Sequence, residues 1–173
     1  MFGEIIIFTI ASTIILFSFI GIGVSKFGIL ESYSGYAPKW DKAVPIKNMN
    51  LWSIVTLVAA FLICPVMLEL ATGSVWQFLG FLTPVYLVVV ALTPKFSTDR
   101  KQFIIHLVAS ILCFIGGLCW VLFIMKSVMI FIISLIFILA LSLFTDTFRK
   151  SVIFWLEMVM FLSVYLTVLM VIL

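Results

Sequence analysis

Histidine is nearly absent from this chain, with His106 the single one in 173 residues, and charged residues make up only 10%. One imidazole cannot build a catalytic zinc site, which commonly takes three protein ligands with imidazole prominent among them. So little charge leaves a water-soluble fold with no means of covering its surface. The three cysteines, Cys64, Cys113 and Cys119, all lie in apolar runs away from any Cys-x-x-Cys or Cys/His spacing. They read as small buried hydrophobes, not as a metal site or a secreted disulfide framework. No nucleotide loop, nucleophile elbow or zincin helix is present, and no pattern implies a metal or other cofactor. The net charge of +3 is small and its basic residues are spread over connectors, which gives nucleic-acid binding little support.

What the chain does have is apolar length. With 65% hydrophobic residues and a mean hydropathy of +1.40 it reads as an integral membrane protein. Its apolar runs approach the ~20 residues that cross a hydrocarbon core of roughly 30 Å. The expectation is an all-α fold, a single transmembrane domain over residues 1–173. It is a six-helix bundle with short loops and one longer cytoplasmic loop between the first two spans. The spans are placed at residues 5–24, 51–71, 75–92, 102–125, 127–144 and 151–173. Only Met1, Phe2, Gly3 and Glu4 precede the first run, with no basic region, so it is expected to remain uncleaved.

The connectors set the orientation. Nine of the ten basic residues fall in one set of loops and only Lys126 in the other. The positive-inside rule places the nine in the cytoplasm and both termini on the far side of a bacterial inner membrane. The long connector, residues 25–50, holds four lysines, Pro38 and Pro45, together with Tyr33, Tyr36 and Trp40. It reads as an interfacial loop with short helical turns, its aromatics at the headgroup layer and Ser32, Tyr33, Ser34 and Tyr36 able to line the mouth of a cavity. Pro65 and Pro84 lie inside the second and third spans, which form a hairpin whose two bends leave room for that cavity.

Within the apolar runs the residues of interest are few. In the fourth span His106, Ser110, Cys113 and Gly117 share one helical face with Ala109 beside them, and that face must look at protein. Ser97, Thr98 or Asp99 offers its N-cap. Glu157 lies about 9 Å into the sixth span. An acid at that depth needs a partner, a proton or water. His106 enters the fourth span from the same side at similar depth, so a Glu157–His106 hydrogen bond or ion pair is one expectation. The alternative leaves Glu157 to Lys150 and His106 to Ser110 or a backbone carbonyl. All five prolines precede the fourth span, so the paired broken helices of an inverted-repeat transporter are missing.

The order of ILESYSGY after the first span, a tryptophan opening the second, an acid near its end, WQFLGFLT in the third and DRKQFIIHLVAS entering the fourth resembles a family of small, uncharacterised bacterial and phage multi-span membrane proteins. The resemblance covers residues 28–110 and implies a kind of protein without lending an activity. A second resemblance is to seven-span membrane hydrolases related to alkaline ceramidases. It would engage Asp99, His106 and Ser32 or Ser34, but the further histidines and the seventh span are missing.

These readings converge on a non-enzymatic polytopic protein that binds a lipid or small ligand, or passes ions or protons, through a polar site near His106 and Glu157. The pathway residues would be His106, Ser110, Glu157, Tyr33, Ser34 and Tyr36. The alternatives are a membrane-embedded lipid-modifying enzyme with His106 as base and Glu157 or Asp99 as its acid, and a subunit of a larger membrane complex. The expected partners are the lipid bilayer, a lipid or small-molecule ligand, and further copies or a membrane complex.

Overall fold

A computed structural model describes residues 2–46, 50–124, 126, 128–144 and 150–172. Among the described residues the long apolar runs are helical, because in hydrocarbon each amide and carbonyl must find its partner within the segment. No strand occurs among the described residues.

Helix α1 (Phe2–Phe27) runs three residues beyond the expected end of the first span. Gly28, at φ +74°, stops it in the left-handed conformation that a glycine adopts without strain, and its amide returns to the Val24 carbonyl at 2.9 Å. On α1 the hydroxyls divide: Thr9 and Thr13 donate to carbonyls of their own helix, whereas Ser12 donates across to the Ala59 carbonyl at 2.9 Å. The phenol of Tyr165 joins Ser12 at 2.5 Å, tying α1 to two other helices at one point.

The connector carries a short helix, as expected, and its aromatic side chains are buried. Helix α2 (Tyr36–Ala43) is amphipathic, with Tyr36, Ala37 and Trp40 buried and Lys39, Asp41 and Lys42 turned outward. Trp40 stacks on Phe19 at 5.0 Å between ring centroids and meets the edge of Phe27 at 5.2 Å. Its aromatic residues pack into the protein core, where their area is large enough to anchor a helix of eight residues.

Helix α3 (Leu51–Leu70) is capped by Asn50, whose side-chain oxygen accepts from the Ser53 amide at 2.7 Å. A tight turn with Gly73 at φ +83° leads to α4 (Gln77–Ala91). Helix α5 (Arg100–Cys119) begins at Asp99, whose carboxylate accepts from the amides of Lys101 and Gln102 at 2.8 and 3.3 Å. It passes into a π-helical turn over Trp120–Ile124, where the Trp120 indole donates to the Met67 carbonyl at 3.3 Å. Lys126, at φ +52°, precedes α6 (Val128–Phe144), and α7 (Val152–Ile172) closes the fold.

Four of these helices are long and apolar enough to cross a membrane: α1, α3, α5 with its π-turn, and α7. Two of the six expected spans are shorter. Helix α4 has 15 residues and α6 has 17, so at 1.5 Å per residue they rise only ~22 and ~25 Å against a core of roughly 30 Å. In α4 the shortfall arises because Val75 and Trp76, apolar residues that extend the run in the sequence, lie in the preceding turn.

The helices approach closely where side chains are smallest. A β-carbon on Gly80 of α4 would stand 2.7 Å from the Met67 carbonyl of α3, and one on Gly116 of α5 would stand 2.7 Å from the Thr83 hydroxyl. Helix α6 packs on α7 through Ser134, whose hydroxyl bonds that of Ser163, while Met129, Ile133 and Ile136 remain exposed. That outward apolar face suits lipid.

Candidate functional site

The connector between α1 and α2 folds back onto the start of α7. The first amides of any helix lack an internal partner. The Glu31 carbonyl supplies one to Phe154 at 2.9 Å. Two residues on, the Tyr33 amide donates to Glu157 Oε2 at 2.6 Å. The acid predicted to need a partner thus has one in the main chain of a distant segment.

Tyr33 itself is only 2% exposed. Its phenol meets the Thr56 hydroxyl at 2.8 Å, and that hydroxyl donates to the Trp52 carbonyl, also at 2.8 Å. Because Thr56 has a single proton, used on Trp52, Tyr33 is the donor to Thr56. Burial pushes the Tyr33 phenol above its usual range, with the charge of Glu157 adding to the effect, so the proton stays in place. Edge-on contact with Phe161 at 5.7 Å and a tilted contact with Trp52 at 5.4 Å complete its surroundings. Tyr36 donates to the Gly28 carbonyl at 2.6 Å, and Ser34 is buried as well. These three residues, read from the sequence as able to line the mouth of a cavity, are buried, and Tyr33 ties the connector to α3.

His106 lies on the buried face of α5 with Ala109, Cys113, Gly116 and Gly117, as the helical spacing implies, while Ser110 is half-buried at its border. Its Nδ1 is 2.9 Å from the Thr93 hydroxyl. Thr93 directs its own proton to the Val89 and Val90 carbonyls, each at 3.0 Å, which makes Nδ1 the donor. The ring stacks on Phe96 with centroids 4.2 Å apart and lies 6.4 Å from Trp52. Nε2 is buried without a hydrogen-bond partner, and so is the Trp52 indole nitrogen.

The expected Glu157–His106 pair is therefore not formed. Equal depth does not bring two residues together: Glu157 is engaged by Tyr33, His106 by Thr93, and the packing that joins them runs through Trp52 and Tyr33. Asp99 caps α5, and the side-chain hydrogen bond that His106 makes goes to Thr93. No cluster of three or more metal-ligating side chains occurs among the described residues.

A cleft of about 620 Å³ opens at the same end of the molecule, between α2 and the segment joining α4 to α5. Asp41 and Lys42 line it from α2, Asn50 from the cap of α3, and Lys95, Ser97 and Thr98 from the α4–α5 segment. That segment works in two directions. Thr93 and Phe96 hold His106, while Lys95, Ser97 and Thr98 face the cleft. A smaller space of about 20 Å³ is bounded by Thr83, Pro84 and Cys113 among others.

Thr93 and Phe96 were not identifiable as partners of His106 from sequence, since Thr93-Pro94 signals only a helix end. Lys42 and Lys95 were visible as part of the basic side, but nothing in their spacing joins them. Comparison with known protein families, with curated proteins and with solved structures gave no match.

Proposed function

We propose that the chain is a non-enzymatic, polytopic membrane protein that binds a lipid or small polar ligand in the cleft between α2 and the α4–α5 segment. The observation that carries this reading is the cleft itself: about 620 Å³, within the usual range of ligand pockets of ~300–1,000 Å³, with both charge signs and neutral hydrogen-bonding groups on its walls. In this reading all six apolar runs associate with the membrane, the basic connectors face the cytoplasm and the termini lie on the opposite side. Such a protein fits the kind implied by the resemblance to small bacterial and phage multi-span proteins.

Binding is favoured over proton passage because the hydrogen-bonded chain from Tyr33 ends at the Trp52 carbonyl, which has no proton to hand on. It is favoured over catalysis because His106 has a hydroxyl, not an acid, as its partner. The test uses delipidated protein in detergent. Adding a total phospholipid extract should raise the unfolding temperature of the wild type, and Lys42→Gln with Lys95→Gln should remove most of that gain. A gain that is absent, or equal in both proteins, would reject the cleft as the site.

A further inference from the structure

We infer that the cleft is selective for a headgroup that joins a phosphate to a primary ammonium, presented by a membrane phospholipid; this rests on the cleft being the ligand site. Lys42, Lys95 and Asp41 all face the cleft, and none of the three side chains forms an ion pair or hydrogen bond among the described residues. Among the described residues, two free ammonium groups and one free carboxylate around one space complement a zwitterion better than a simple anion. The lysines meet the phosphate as point charges. Asp41 accepts from the N–H groups of a primary amine, which a trimethylated amine does not possess. A headgroup with a phosphate alone would leave the carboxylate facing like charge.

The location selects the source. The cleft lies where α2 and α4 end and α3 and α5 begin, and the apolar side chains of Pro38, Ile46 and Pro94 line it beside the polar groups. An acyl chain can lie against such residues while the headgroup occupies the polar walls, whereas a free metabolite would gain nothing from them. Ser97 and Thr98, whose hydroxyls border the same space, can bond ester or phosphate oxygens.

The experiment is native mass spectrometry of the delipidated protein with equimolar phosphatidylethanolamine, phosphatidylcholine and phosphatidylglycerol. The wild type should retain phosphatidylethanolamine about fivefold over each of the others, the scale of one partly exposed charge-assisted contact. Asp41→Asn should erase the preference over phosphatidylglycerol, and Lys42→Gln with Lys95→Gln should weaken all three lipids together. Retention of phosphatidylglycerol above phosphatidylethanolamine, still dependent on both lysines, would overturn the zwitterion selectivity and leave the cleft as the ligand site. Lipid retention indifferent to both lysines would overturn the site as well. Stabilisation by soluble phosphoethanolamine equal to that by the lipid would overturn the membrane source. Circular dichroism of each variant, matching the wild type, confirms that a loss comes from the cleft and not from misfolding.

Discussion

The Tyr33 amide sits 2.6 Å from Glu157 Oε2, so a carboxylate more than 120 positions away along the chain holds the peptide of a connector against the start of α7. Together with the Glu31 carbonyl on the Phe154 amide, this contact makes a short segment of irregular backbone part of the bundle. Irregular backbone is tolerated at that position because its polar groups are satisfied by protein.

Replacement of Glu157 separates its roles. Glu157→Ala leaves the Tyr33 amide without its acceptor and should lower stability by about 1–3 kcal/mol. Glu157→Gln keeps an oxygen at the same reach and should retain most of it. Thermal unfolding in detergent distinguishes the two, and equal losses would show that the amide contact is not what matters.

Tyr33 and Thr56 should be energetically coupled. Tyr33→Phe removes one hydroxyl and should cost about 0.5–1.5 kcal/mol. Combined with Thr56→Val, the losses should fall short of additive, as for residues in one hydrogen-bonded chain. Additive losses in a double-mutant cycle would place the two hydroxyls in independent roles.

At the hairpin, Gly80→Ala should destabilise by about 1–3 kcal/mol, since the added carbon would meet the Met67 backbone at 2.7 Å and rigid main chain has to move. Gly21→Ala is the control. A β-carbon there meets nothing within 4 Å, and the gain in helix propensity should make the change neutral or stabilising by about 0.5–1 kcal/mol. The unfolding midpoint should therefore fall for Gly80→Ala and not for Gly21→Ala.

Thr93 should be replaceable by serine but not by valine. Serine keeps the hydroxyl that accepts from His106 Nδ1, while valine leaves that buried donor unsatisfied at a cost of about 1–3 kcal/mol. Because the same segment lines the cleft, Thr93→Val should also weaken lipid retention. An intact lipid preference beside the lost stability would show that His106 supports the fold alone.

The six-span arrangement makes a separate prediction. In a background with Cys64, Cys113 and Cys119 replaced by alanine, single cysteines at Lys42 and Lys95 should react with an impermeant thiol reagent from the cytoplasmic face only. A cysteine at Lys126 should react from the other face. Labelling of all three from one side would contradict the six-span reading.

By itself the sequence determined the class and the helical frame. Excess apolar composition excludes a soluble fold, and apolar length forces helices, so both follow from local chemistry without knowledge of neighbours. The buried face of α5 was likewise legible, because one histidine among apolar residues at a period of 3.6 must turn from lipid. The cap of α5 was legible to within Ser97, Thr98 and Asp99, since a cap depends only on residues a turn apart, and the structure selects Asp99. Tertiary structure alone decided the partners. Depth can be counted along a helix, but rotation and tilt about its axis depend on every neighbour, so nothing local could show Glu157 meeting a Tyr33 amide or His106 meeting Thr93. The connector aromatics went into the core for the same reason. Tyr33, Tyr36 and Trp40 suit an interface as well as an interior, and only the space left between α1, α3 and α7 settled which they fill.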